Sequence, residues 1–147
     1  MINDPAQLAT FNRSKLDLSE RERNAPAYRL HQDLLRLRRE EPALSPRDAP
    51  WFDGAALSDH ALVIRYFAEN ELDERLLMVN LGVDLPLSPL PEPLLAPPLG
   101  MHWTIRWSSE DVDYGGCGTP DLTTDSTWRL LGEAALWLAP VKDNQNG

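Results

Sequence analysis

The apolar residues of this chain change period once, and that change limits the folds available to it. Between Asn24 and Pro42 they recur every three or four residues; from Ala61 onward they recur every second residue. The first spacing is that of an amphipathic helix and the second that of half-buried strands. One helix followed by a run of strands with turns between them predicts a mainly β chain, an antiparallel β-sandwich with one appended N-terminal amphipathic helix.

The helix is predicted over about residues 25–41. Asn24 offers a side-chain oxygen to first-turn amides, Pro26 sits in the first turn where no donor is needed, and Pro42 ends the helix. Ala27, Leu30, His31, Leu34 and Leu37 form an apolar stripe, widened by Tyr28 and Leu35, that has to be covered. Arg29, Arg36, Arg39 and Glu40 lie mostly away from it. Residues 1–23 show no clear period and are expected to be extended or loop. Residues 42–58, with Pro42, Pro46 and Pro50, read as a connector in which Trp51 and Phe52 are apolar anchors.

Leu62, Ile64 and Tyr66 alternate with Val63, Arg65 and Phe67, and Leu77, Val79 and Leu81 alternate with Leu76, Met78 and Asn80. The two runs predict a hairpin closed by the acidic loop 68–74. Six prolines between Pro86 and Pro98 exclude a central strand there, because each removes a ladder donor. A third strand is predicted at Met101–Trp107, with Trp103, Ile105 and Trp107 on one face. The segments 128–131 and 134–138 predict a second hairpin around Gly132 and Glu133.

The wording of the chain adds to its pattern. Phe11, Ser14-Lys15-Leu16-Asp17 and Glu20, then Leu30-His31, residues 33–39 and Pro42, resemble the last barrel segment of maltooligosyltrehalose trehalohydrolases, members of the α-amylase-type glycoside hydrolases. Residues 76–82, the proline run 91–98, Trp107-Ser108-Ser109-Glu110-Asp111, Tyr114-Gly115-Gly116 and Gly118 resemble the β-sandwich that closes those enzymes. The resemblance implies that residues 1–44 are a terminal segment and helix of a (β/α)8 barrel and residues 45–147 a C-terminal sandwich domain. A complete barrel needs about 250 residues and does not fit in 147. The catalytic carboxylates of the resembled family are expected upstream of Met1, so no catalytic residue is assigned. The parent activity implied is hydrolysis of maltooligosyl trehalose to trehalose and a maltooligosaccharide.

Within the chain itself, chemistry has few candidates. Glu69, Glu71, Asp73 and Glu74 share the hairpin loop, where like charges are expected to be solvated. Glu110, Asp111 and Asp113 are the weak candidates for a metal, but they lack the twelve-residue spacing and closing Glu of an EF-hand. Cys117 is the only cysteine, so no internal disulfide forms. No His-Glu-x-x-His and no Gly-rich loop followed by Lys-Ser/Thr is present, and no cofactor is expected. Among five tryptophans, Trp51, with Tyr114, is expected to lie in a loop and is a candidate for sugar contact.

Charge narrows the partners. Residues 1–47 carry nine Lys or Arg against seven Asp or Glu, and the remainder five against sixteen. Such an acidic body repels phosphate backbones and excludes nucleic acid. No run approaches the roughly 18 apolar residues of a membrane span, and the start lacks signal-peptide regions, so a cytoplasmic protein is expected. The expected partner is the barrel, or a second copy through Leu30, Leu34 and Leu37. A free-standing α-glucan-binding module and a subunit completing a truncated barrel in trans are the alternatives.

Overall fold

A computed structural model describes residues 6–44, 51–88, 91–120 and 128–143. Three helices, α1 (Leu8–Arg13), α2 (Glu20–Arg23) and α3 (Ala25–Glu40), precede seven strands: β1 (Phe52–Ser58), β2 (Ala61–Tyr66), β3 (Arg75–Asn80), β4 (Leu85–Pro86), β5 (Met101–Ser108), β6 (Arg129–Leu130) and β7 (Ala134–Lys142). Five form one antiparallel sheet in the order β1-β2-β3-β7-β5, and β4 pairs with β6 in a second, two-stranded layer. The fold is the expected mainly β sandwich with an N-terminal helix.

The period of two separates the faces of the large sheet, and the small layer covers one of them. Ala61 and Val63 on β2, Leu76 and Met78 on β3, and Leu136 and Leu138 on β7 point to one face and are almost fully enclosed. Leu87, Leu95 and Leu130 close that face from the small layer and the Pro93–Leu95 turn. A leucine taken wholly out of water contributes about 1.5–3 kcal/mol, so this layer is the main source of stability. Among the described residues, the proline-rich run contributes the two-residue strand β4 and no longer one, in keeping with the ladder donors missing at proline.

Four expectations about the strand region are corrected. β1 lies where a connector was expected. Phe-Asp-Gly-Ala-Ala-Leu-Ser has weak strand propensity, and it pairs as an edge strand because β2 is already fixed beside it. The second hairpin is absent: β6 pairs with β4, not with β7. The chain crosses from one layer to the other at Gly132, whose amide reaches Asp84 Oδ1 at 2.9 Å and where an added Cβ would stand 2.6 Å from Gly82 O. Buried Asn80 ties down the same crossing by donating to Val83 O and Leu131 O at 2.8 and 3.0 Å.

The third correction concerns the tryptophans of β5. A bulge between Ile105 and Trp107 reverses the alternation, so Trp103 and Ile105 face the sandwich core while Trp107 pairs with Trp137 on the opposite face. Trp103 donates from Nε1 to Leu95 O at 2.9 Å. Fourth, Glu74 leaves the solvated loop. It is buried, and its Oε2 accepts from Arg65 Nε and Nη2 at 2.9 and 2.7 Å.

Upstream, α1 and α2 stand where extended or loop chain was expected. α3 begins at the expected residue and ends one short of the expected C-terminus, with Glu41 extended, the conformation favoured before Pro42. Its cap differs: Asn24 makes no side-chain capping bond, its backbone at φ −114° and ψ 38° lying outside the extended region usual for a cap, while its amide closes α2 by donating to Glu20 O at 2.8 Å. Pro46 and Pro50 of the connector lie outside the described residues.

Candidate functional site

Two surfaces stand out, a helical face and an aromatic cleft. The helical face begins with how α3 is held. Asp33, half-buried, accepts from the Tyr114 hydroxyl at 2.8 Å through Oδ2 and pairs with Arg36 at 2.8 Å through Oδ1. Arg29 pairs with Asp113 at 2.9 Å. Just past the helix, Glu41 pairs with Arg75 at 3.0 Å and accepts from Trp137 Nε1 at 3.4 Å. These contacts turn Leu30, Asp33 and Leu37 inward.

The expected stripe is therefore divided. Leu30 and Leu37 are half-buried against the sandwich side, while Leu34 keeps 38% of its surface exposed and Tyr28 and Leu35 are exposed as well. No residue of α3 is fully buried. Leu8, Phe11, Leu16 and Leu18 add further exposed apolar surface in the segment before it. A shallow hollow of about 300 Å³ lies between that segment and α3, walled by Leu16, Leu18, Ala27, Tyr28 and His31. Exposed apolar residues scattered singly are ordinary, whereas these are gathered on residues 8–35.

Tyr114 sits in the Val112–Tyr114 turn, with its ring 6.3 Å from that of Trp107. Burial raises its hydroxyl above the ordinary tyrosine range, and donation to the Asp33 carboxylate adds to the rise; the Trp107 indole works the other way. Tyr66, tilted by 58° against Trp137 with ring centroids 5.3 Å apart, is raised by burial alone. The neighbouring carboxylates have local employment. Glu110 Oε2 accepts from the Cys117 amide at 3.3 Å, Asp111 Oδ1 accepts from the Asp113 amide at 2.9 Å, and Asp113 holds Arg29. Among the described residues, no three His, Cys, Asp or Glu side chains converge.

The aromatic cleft was only partly legible. Trp51 was expected to be anchored in apolar surroundings with Phe52, but both are exposed, Trp51 at 73%. The indole stacks on Phe67 with centroids 4.8 Å apart and planes 25° from parallel. The Phe67 amide donates to Trp51 O at 2.9 Å, which fixes one residue beside the other. Sequence reading missed Phe67 because the alternation of β2 continues through it; only the pairing of β1 with β2 brings Trp51 opposite. The Arg65 guanidinium lies 5.2 Å from the Phe67 ring and 5.4 Å from the Trp103 ring, and it also donates to Ala96 O at 2.6 Å. Trp51, Phe67, Pro42, Ala43, Glu69 and Asp73 border an open cleft of about 730 Å³.

Among the described residues, no helix is long and apolar enough to cross a membrane. Comparison with known proteins agrees with the architecture. The chain is 38% identical over 85 residues to the malto-oligosyltrehalose trehalohydrolase of Deinococcus radiodurans, a stretch covering 56% of this chain and 14% of that protein. The chain thus matches about one seventh of the length of this curated relative. A family model described as a domain of unknown function, DUF3459, matches residues 49–137, which take in β1 to β6 and the start of β7. The chain belongs to the DUF3459 family, the C-terminal domain of α-amylase-type enzymes.

Proposed function

We propose that this chain is a non-catalytic C-terminal module of a trehalohydrolase-like, α-glucan-active glycoside hydrolase, and that it braces the catalytic barrel by packing. In this reading residues 1–44 are the terminal segment and helix of the barrel, and residues 45–147 are the closing sandwich. The parent activity is hydrolysis of maltooligosyl trehalose to trehalose and a maltooligosaccharide, in the cytoplasm.

The observation that supports it best is the two-sidedness of α3. Its inner side is fastened to the sandwich through Asp33, Arg29 and Glu41, while Tyr28, Leu34 and Leu35 leave apolar surface on the outer side. A helix fastened to one body with a second apolar side left over suits a bridge between two bodies. The neighbouring ring of barrel helices is the natural cover, since a barrel helix packs against the helices on either side of it.

The test is co-expression with the barrel of a malto-oligosyltrehalose trehalohydrolase that lacks its own C-terminal segment. A one-to-one complex on size-exclusion chromatography with light scattering, lost in Leu34→Asp/Leu35→Asp, is the expected result. Two proteins that elute separately would overturn the bracing role, and a stable homodimer abolished by the same pair would replace the barrel with a second copy.

A further inference from the structure

We infer that the Trp51–Phe67 cleft is a carbohydrate-binding site whose ligand is a linear α-glucan, stacked by one glucose ring on the free face of Trp51. The choice of glucan rests on the function proposed above; the choice of a neutral sugar rests on the cleft itself.

Three features of the cleft point to a neutral polyol. Its floor is flat: Trp51 and Phe67 are stacked nearly parallel, so they present a plane and not a box. The C–H face of a pyranose lies on such a plane, burying apolar area while its hydroxyls project sideways. Hydroxyls that project sideways meet acceptors, the exposed carboxylates of Glu69 and Asp73. An aromatic floor with a few polar groups at the rim, in a volume of several hundred cubic ångströms, is the usual composition of a small-ligand site.

The charges weigh against other classes. Among the described residues, no Lys, Arg or His borders the cleft. Arg65, beneath the platform, is occupied by Glu74 and by Ala96 O. A phosphorylated or carboxylated ligand would face the Glu69 and Asp73 carboxylates, and a purely apolar segment would strip water from both, although Asp73 Oδ2 also accepts from Asn70 Nδ2 at 2.9 Å. A basic peptide would satisfy the charges, but a cation favours rings gathered around it, which this stack does not provide.

The platform is also held in advance of binding. Phe67 has Arg65 behind it, Arg65 is locked by Glu74, and Trp51 is fixed to Phe67 through the backbone. A site that needs no ordering on binding loses less of its interaction energy.

The experiment is calorimetric titration of the full chain with maltoheptaose up to about 20 mM, repeated with Trp51→Ala and Glu69→Gln. Trp51 is exposed and Trp51→Ala leaves the core untouched, and circular dichroism checks that the fold is retained. Saturable millimolar binding, weakened about tenfold or more by Trp51→Ala and less by Glu69→Gln, with the Trp51 indole N–H resonance shifting on addition of sugar, is the expected result. Lack of saturation, binding that survives Trp51→Ala, tighter binding of cellohexaose, or salt-sensitive binding of tetra-arginine in place of the sugar would each overturn it. The barrel takes no part in this titration, so a failed barrel association leaves its outcome independent.

Discussion

The Tyr114 hydroxyl donates to Asp33 Oδ2 at 2.8 Å, a bond that spans 81 residues and fastens the middle of α3 to the turn following β5. A neutral donor on a carboxylate is worth about 1.5–3 kcal/mol when well shielded. Asp33 and Tyr114 are only half-buried, so Tyr114→Phe is expected to cost at most about 1.5 kcal/mol. Amide hydrogen exchange should quicken across α3 while β3 and β7 keep their protection; uniform quickening would show that the helix and sandwich unfold as one unit.

Alkaline pH should weaken the fold through two tyrosines. Burial raises Tyr66, and burial together with Asp33 raises Tyr114, so both stay protonated in the folded chain above the pH at which they ionise in the unfolded chain. Their contribution is complete below about pH 10 and is lost as pH climbs through the folded values. The urea midpoint is expected to fall above about pH 10, and Tyr66→Phe/Tyr114→Phe should flatten that decline.

The Arg65–Glu74 pair should be costly to break from one side. The two side chains are 11% and 9% exposed, and their atoms approach to 2.7 Å. Removing one partner leaves a buried charge alone, at about 3–5 kcal/mol. Arg65→Met and Glu74→Gln should each show a loss of that order in urea denaturation. The double variant should lose less than the sum, because the stranded charge has gone.

Outer-face and core leucines should behave oppositely. Leu138→Ala, at a fully buried position, is expected to lose about 2–5 kcal/mol. Leu35→Asp, at a position more than half exposed, should change stability by no more than about 0.5 kcal/mol while abolishing association with a barrel.

Gly132→Ala tests the crossing between layers. The new methyl would enter the space held by Gly82 O, 2.6 Å away, with the Asp84 amide at 3.2 Å. Backbone atoms cannot swing aside, so a loss of about 1–3 kcal/mol in urea denaturation is expected. An unchanged midpoint would mean that the crossing relaxes freely.

What the amino-acid order determined by itself was local and periodic. The stripe from Ala27 to Leu37 gave α3, the alternation from Ala61 to Asn80 gave the β2–β3 hairpin, and the prolines from Pro86 to Pro98 barred a central strand. It also offered Trp51 and Tyr114 as side chains of interest, without their surroundings. Tertiary structure decided whatever depended on a distant partner. β1 became a strand because β2 supplied a ladder, β6 chose β4 over β7, and the bulge after Ile105 sent Trp107 to the helix side. Glu74 left its acidic loop because Arg65, nine residues back, points into the same layer, and Phe67 became a floor only when β1 brought Trp51 over it. Periodicity encodes which side of an element is apolar. Pairing, charge burial and stacking are set by contacts between remote residues, and these exist only after the chain has closed on itself.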